Sequence, residues 1–150
     1  MPPRERRELL GCPFAPITMG EAIERALEWC RAPRAPHTLI TANAAILCMM
    51  RRDPELRAAC RAGDLIVADG QAVVWAAKLA GLPFPERVAG VDMMARLLEK
   101  ASEQALRVFF LGARPEVIVE LVKRCATLYP GVVVAGARDG YFKPDQHAEV

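Results

Sequence analysis

The sequence predicts an α/β protein built on one open, mainly parallel sheet. Short segments of strand character alternate with longer segments of helical spacing along the 150-residue chain. Each connecting helical segment is long enough to join two parallel strands. No internal repeat or low-complexity linker divides the chain. We therefore expect a single α/β domain over residues 1–150 with a hydrophobic core of its own.

The predicted strands are rich in β-branched or aromatic residues and are bounded by turn residues. The apolar run at residues 65–68 has a β-branched centre, which is typical of a buried strand. The five predicted strands are Glu8–Pro13, Thr38–Thr41, Leu65–Ala68, Arg107–Leu111 and Val132–Ala135.

The helices are predicted from the spacing of apolar residues and from the capping residues that precede them. Thr18 and Glu21 match a capping box, and Asp53 with Pro54 matches an N-cap followed by proline at the first helical position. The predicted helices begin near Thr18, Ala45, Asp53, Gln71, Asp92 and Pro115 and end near Pro33, Arg51, Gly63, Ala80, Gln104 and Leu128.

Composition excludes several classes of function. The chain is 53% hydrophobic and 25% charged, which is typical of globular proteins, and its net charge of +2 does not support nucleic-acid binding. The five cysteines are widely spaced without a CxxC pair, as expected of small core residues in a reducing compartment rather than zinc ligands. There is no apolar core of a secretory signal and no membrane-spanning run of ~20 residues. We expect a cytoplasmic protein.

Three loops leave predicted strands with polar or glycine residues, at 41–43, 69–70 and 112–114. In a parallel sheet these loops share one edge, where helix N-termini suit phosphate groups. Arg87 and Arg114 could add positive charge. The GxGxxG, GxxxxGK[ST] and Gly-x-Ser-x-Gly patterns are missing, which argues against a dinucleotide oxidoreductase, a P-loop NTPase and a serine hydrolase.

Local spacing leaves two interpretations open for each candidate. Asp69 follows a buried strand and precedes a helix, so it is either the N-cap of that helix, which local spacing favours, or a general base or ligand-anchoring carboxylate. Thr41 and Asn43 either cap a helix or contact a ligand. Arg87 is either an ordinary surface arginine paired with Glu86 or a phosphate-binding residue.

The stretch from Thr41 to Glu99 resembles the WecG/TagA/CpsF family of bacterial glycosyltransferases. Four pieces carry the resemblance in order: the Thr-Ala-Asn turn, the DPELR helix with its following strand, the Asp-Gly turn with VVWA, and PERVAGVD. GCPFAPITMGEAIERAL upstream and VFFLGARPEV and DGYF downstream extend it over roughly residues 9–143.

The resemblance implies a Rossmann-like sheet with helices on both faces and no metal or other cofactor. It implies inverting transfer of an N-acetylhexosamine, typically N-acetylmannosamine, from a UDP-sugar to a polyprenyl-diphosphate-linked N-acetylglucosamine. The products feed teichoic acid or exopolysaccharide synthesis. The reaction takes place at the inner face of the cytoplasmic membrane, so peripheral membrane contact is implied, and homo-oligomer formation is left open.

Carried over by position, the resemblance makes Asp69 the general base and reverses the local preference for a helix cap. It implies that the polar turn lines the same pocket and that an arginine steadies the leaving diphosphate. The expected substrate-binding residues are Thr41, Asn43, Gly70, Arg87 and Gly112.

Members of the family normally continue with a further helix, a strand, a glycine-rich loop and a basic C-terminal appendage. We therefore expect this chain to be C-terminally short relative to the family. The alternative function is a non-catalytic sugar-nucleotide-binding module or a truncated remnant of such an enzyme. A Rossmann-type oxidoreductase is a third and weaker interpretation.

Overall fold

A computed structural model describes residues 6–32 and 35–143 of the chain, as a mixed α/β structure with open sheets. The strands of this part are β1 (Arg7–Leu9), β2 (Cys12–Phe14), β3 (Leu39–Ala42), β4 (Leu65–Ala68), β5 (Arg107–Leu111) and β6 (Val133–Arg138). Its helices are α1 (Met19–Arg31), α2 (Ala44–Met50), α3 (Pro54–Ala62), α4 (Gln71–Leu79), α5 (Gly90–Glu103) and α6 (Pro115–Leu128). The predicted α/β class is confirmed at this level.

The predicted strand Glu8–Pro13 is wrong, because the chain reverses within it. β1 and β2 pair antiparallel, and the turn between them is formed by Leu10 and Gly11 at φ +52° and +82°. Two successive residues with positive φ match the right-handed twist of a tight hairpin. Leucine rarely adopts this conformation, which is why the sequence pattern did not reveal the turn.

The chain forms two compact units, Met1–Met94 and Ala95–Val150. In the first unit β3 and β4 pair parallel, from Leu39 opposite Leu65 to Ala42 opposite Ala68. All four residues of β4 are buried, as predicted. The core around this strand contains side chains from the hairpin, α2, α3 and α4, including Phe14, Leu47, Met50, Cys60, Val73 and Ala77.

β4 is hydrogen-bonded along both of its edges. On the side away from β3, the carbonyl oxygen of Ile66 accepts a hydrogen bond from Ala15 N at 2.8 Å, and that of Ala68 accepts one from Val88 N at 2.8 Å. Alternate residues of a strand direct their backbone groups to opposite edges, so β4 is held by different segments on its two sides. The carboxyl end of β4 is therefore a well-supported position for a functional side chain.

In the second unit β5 and β6 pair parallel, and α6 covers one face of this pair. Ile118 and Cys125 are buried there, as the helical spacing predicts. Val117 and Leu128 were expected on the same face but are 46% and 66% exposed. Val117 lies about 100° around the helix from Ile118, and Leu128 is the last residue of α6, so neither reaches the core.

Three of the five cysteines, Cys12, Cys60 and Cys125, are buried, in agreement with the predicted core role, whereas Cys30 and Cys48 are exposed. Burial raises the pKa of the Cys12 thiol to about 11, with a further contribution from Cys60. The buried thiol is therefore protonated and unreactive at neutral pH.

Asp64 stabilises the amino end of β4. Its Oδ2 accepts a hydrogen bond from Thr38 N at 2.8 Å, and its Oδ1 lies 3.7 Å from Nδ1 of His37, whose ring stacks on Trp29. The backbone hydrogen bond from Thr38, followed by the attraction of His37, lowers the pKa of the Asp64 carboxyl below its usual value.

We expect the contribution of Asp64 to the free energy of unfolding to change with pH in the acid range. Because its pKa is lower in the folded chain, its contribution is complete above the ordinary value of 3.8 and is lost as the pH falls through the folded value. Urea unfolding of wild type and Asp64→Asn should therefore differ at pH 7 and converge on acidification. A difference that stays constant over this pH range would contradict the assignment.

Candidate functional site

Four of the predicted site residues lie at the carboxyl ends of β3 and β4. Thr41 is on β3 and Asn43 directly follows that strand, while Asp69 and Gly70 directly follow β4. The backbone N–H of Asp69 donates to Ala42 O at 3.0 Å, so the two loops leave the sheet side by side. A Cβ on Gly70 would lie 4.0 Å from Cβ of Asn43. The structure therefore brings these residues together, as predicted for a parallel sheet edge.

Asp69 does not cap the helix that follows it, so this local interpretation is wrong. The N-cap residue of α4 is Gly70, and no side chain accepts a capping hydrogen bond from the first turn of this helix. Gly70 has φ +110°, a backbone conformation that favours glycine, and it lies between Asp69 and the first residue of α4. The half-buried Asp69 carboxylate instead accepts a hydrogen bond through Oδ2 from the backbone N–H of Gly90, at 3.2 Å. Gly90 is the first residue of α5, so Asp69 stabilises the start of a distant helix.

Gly90 is a site residue to which the sequence analysis assigned no role. A Cβ on Gly90 would lie 2.8 Å from Oγ1 of Thr41 and 3.3 Å from its Cγ2. The missing side chain therefore allows the α5 N-terminus to approach β3 and reach the Asp69 carboxylate. The sequence feature that could have identified this residue is a glycine two positions before the predicted helix start at Asp92. In the structure α5 begins at Gly90 itself.

Thr41 and Asn43 have different local roles. Asn43 is the N-cap of α2, and its Oδ1 accepts a hydrogen bond from Ile46 N at 3.0 Å, which confirms the capping interpretation. Its amide NH₂ group still has donors that a ligand can use. Thr41 does not cap α2; it is half-buried on β3 with its side chain against Gly90.

Arg87 lies in the segment that passes alongside the end of β4. Its guanidinium pairs with Asp92, with Nη2 3.0 Å from Oδ2, and both side chains are about half exposed. The pairing with neighbouring Glu86 is therefore wrong. Glu86 accepts a hydrogen bond from the backbone N–H of Met19 at the start of α1. Glu86 and Arg87 therefore bond to different parts of the chain although they are adjacent in sequence.

Gly112 and Arg114 belong to the second unit. Gly112 follows β5 with φ +132°, and its N–H donates to Arg138 O at 3.0 Å. Arg114 is the N-cap residue of α6, with Nε 3.6 Å from Glu116 Oε1. The substrate-binding role of Gly112 stays a prediction.

Residues 6–32 and 35–143 hold neither a cluster of metal ligands nor a membrane-spanning helix. Within these ranges no three His, Cys, Asp or Glu side chains are grouped so that they could hold a metal ion. Asp64 and Asp69 lie at opposite ends of β4. No helix in the same ranges is both long and apolar enough to span a bilayer.

The chain is similar to known glycosyl transferases over nearly its whole length. The model of the glycosyl transferase WecG/TagA/CpsF family matches residues 7–150. A curated N-acetylglucosaminyldiphosphoundecaprenol N-acetyl-beta-D-mannosaminyltransferase from Bacillus spizizenii is 40% identical over 105 residues. This alignment covers 70% of the chain and 41% of the relative, so the chain spans less than half of that relative's length. The chain belongs to the WecG/TagA/CpsF family of glycosyl transferases.

Proposed function

We propose that this chain carries the base-bearing part of an inverting glycosyltransferase. The reaction moves an N-acetylhexosamine, by analogy with the relative an N-acetylmannosamine, from a UDP-sugar to a polyprenyl-diphosphate-linked N-acetylglucosamine. The relative's name specifies an N-acetyl-beta-D-mannosaminyl product on an N-acetylglucosaminyl-diphosphoundecaprenol acceptor. Formation of a β-linkage from an α-linked nucleotide sugar inverts the anomeric carbon in one displacement.

The observation that carries this proposal is the way the Asp69 carboxylate is held. Oδ2 is fixed by Gly90 N, whereas Oδ1 makes no hydrogen bond within the described part of the chain. An acceptor hydroxyl can place its proton on Oδ1 while its oxygen attacks the anomeric carbon and UDP leaves. A carboxylate anchored through one oxygen keeps its direction, which general base catalysis requires.

Two features near Asp69 support binding of the donor diphosphate. The N-terminus of α4 has glycine as its cap and no side chain bonded to its first turn. Its N–H groups and helix dipole favour an anion. Arg87 pairs with Asp92 through Nη2, and a guanidinium has five N–H donors, so this ion pair leaves donors for phosphate oxygens. We assign Arg87 and Gly70 to substrate binding on this basis, and Thr41 and Asn43 because they lie beside Asp69 and Gly70 at the carboxyl ends of β3 and β4.

The proposal extends to the type of sheet in the fold and to the place in the cell where the enzyme works. We predict that the chain belongs to one Rossmann-like domain with helices on both faces of its sheet. A lipid-linked acceptor requires the enzyme to work at a membrane surface, so we propose peripheral contact at the inner face of the cytoplasmic membrane.

Calorimetric titration with UDP-N-acetylmannosamine, with NADH as the control ligand, tests this proposal. We expect saturable binding of the UDP-sugar alone, followed in a coupled assay by UDP release that depends on a lipid-linked N-acetylglucosamine acceptor. Binding without turnover would favour the non-catalytic binding module. Absence of UDP-sugar binding by a folded chain, or binding of NADH, would contradict the assignment.

A further inference from the structure

The segment from Phe84 to Gly90 is anchored at four successive even-numbered positions; we call it the anchored segment. The Phe84 ring is buried, with its centroid 5.5 Å from that of Phe14. Glu86 accepts from Met19 N, Val88 N donates to Ala68 O at 2.8 Å, and Gly90 N donates to Asp69 Oδ2 at 3.2 Å. Of the residues between these anchors, Pro85 and Arg87 are exposed, whereas Ala89 is buried.

Among these anchors, Glu86 is the one at which the anchored segment itself contributes a charged side chain. Met19 is the first residue of α1, and the N–H groups at the start of a helix have no partners within it. Thr18 and Glu21 form a complete capping box there, with Thr18 Oγ1 accepting from Glu21 N and Glu21 Oε2 accepting from Thr18 N. Glu86 supplies an acceptor for one of the two N–H groups that the box leaves over, that of Met19, and its charge complements the helix dipole.

Glu86 is adjacent to Arg87 in sequence but bonds to α1, so it fixes the backbone from which the Arg87 side chain extends. Asp92 alone does not provide this support, because its ion pair with Arg87 is about half exposed and such pairs are weak. The buried Val88 fixes the other side of Arg87. The arginine therefore lies between two fixed points, one of which is the Glu86 contact with α1.

We propose that Glu86 is a positioning residue that, by bonding to the N-terminus of α1, holds Arg87 in place for the diphosphate of the donor. The role of Arg87 rests on the proposed function, whereas the Glu86 contact itself is independent of it. Glu86 does not touch the substrate; it acts through the backbone of the anchored segment. It determines the affinity for the nucleotide and not the chemical step.

A double-mutant cycle on nucleotide binding tests this inference. The affinity for UDP-N-acetylmannosamine should fall roughly tenfold in Glu86→Ala and at least as much in Arg87→Ala. The double variant should bind no more weakly than Arg87→Ala, because without the arginine there is nothing to position. Glu86→Gln keeps an oxygen acceptor for Met19 N and should retain most of the affinity. Glu24→Ala, which removes an exposed carboxylate from α1, is the matched control.

A second measurement reads the position of Arg87 without any ligand. The Nε–Hε NMR signal of Arg87, assigned by its loss in Arg87→Lys, should shift or broaden in Glu86→Ala and stay near its wild-type position in Glu86→Gln. An unchanged signal in folded Glu86→Ala would overturn the inference. So would a further loss of affinity on adding Glu86→Ala to Arg87→Ala. A changed signal together with unaffected nucleotide binding in Arg87→Ala would instead overturn the role proposed for the arginine.

Discussion

Replacement of Asp69 by asparagine should lower kcat for sugar transfer by about 10²–10⁴-fold while leaving the fold intact. The asparagine side chain has nearly the same shape and a carbonyl oxygen that can accept the hydrogen bond from Gly90 N, now made by Asp69 Oδ2 at 3.2 Å. It cannot accept the proton of the acceptor hydroxyl. Binding of the UDP-sugar should persist, because Asp69 acts on the acceptor. Steady-state kinetics and calorimetry on the same samples separate these effects.

Replacement of Asp69 by alanine distinguishes the role of this residue as a base from its role as a hydrogen-bond acceptor for α5. This variant should be as inactive as Asp69→Asn but also less stable, by about 0.5–2 kcal/mol, because the N–H of Gly90 loses its acceptor at the start of α5. The free energy of unfolding from urea titration provides the comparison.

Asp64→Asn is the matched control, since it makes the same change at the other end of β4. It should alter stability above pH 3.8 and leave turnover at the wild-type value. Asp69→Asn with normal turnover would remove Asp69 from the mechanism. Equal loss of turnover in both variants would point to a general effect on the strand.

Gly90→Ala should have the second largest effect, on both stability and turnover. The new Cβ would lie 2.8 Å from Oγ1 of Thr41, closer than real Cβ contacts allow, so the α5 N-terminus or Thr41 must move. Overpacking of this kind costs about 1–3 kcal/mol. The movement also displaces the N–H that holds Asp69 Oδ2, and a displacement of ~1 Å at a catalytic group can cost about 10²-fold in rate.

A second substitution in the same contact identifies the cause. Thr41→Ala removes Oγ1 and Cγ2 and leaves Cβ, which lies 3.4 Å from the Cβ position on Gly90. Adding Gly90→Ala to Thr41→Ala should therefore lower the free energy of unfolding much less than Gly90→Ala lowers it in the wild-type chain. Stability is the appropriate readout, because Thr41 is itself assigned to substrate binding.

Gly20→Ala in α1 is the control for a glycine without such a contact, because its Cβ would meet only Thr18 Oγ1 at 4.0 Å. A helical alanine there should be neutral or stabilising. If Gly90→Ala is as well tolerated as Gly20→Ala, the close approach of α5 to Thr41 is not a constraint on the site.

Local sequence patterns predicted most elements because the forces that form them act over a few residues. The capping box at Thr18, the N-cap at Asp53 and the predicted helix at Gln71 all appear as expected. The predicted strand Leu65–Ala68 is β4 without a change of bounds. The β1–β2 hairpin was missed because the first of its two turn residues is Leu10, a residue type that rarely adopts positive φ.

Contacts between distant residues were not accessible to the same reasoning. Local spacing offered α4 as the helix for Asp69 to cap and Glu86 as the partner of Arg87. Each side chain instead bonds elsewhere: Asp69 to Gly90, Arg87 to Asp92, and Glu86 to Met19. Local spacing cannot supply these partners because they depend on how the anchored segment passes along β4.

The sequence by itself determined the family, the α/β class and the strand ends at which Thr41, Asn43, Asp69 and Gly70 meet. These follow from ordered motifs and from the rule that parallel strands direct their carboxyl ends to one edge. Only the tertiary structure decided how the Asp69 carboxylate is oriented. Gly90, 21 residues further along the chain, reaches it because a missing side chain allows α5 to approach Thr41, and such steric complementarity exists only between packed elements.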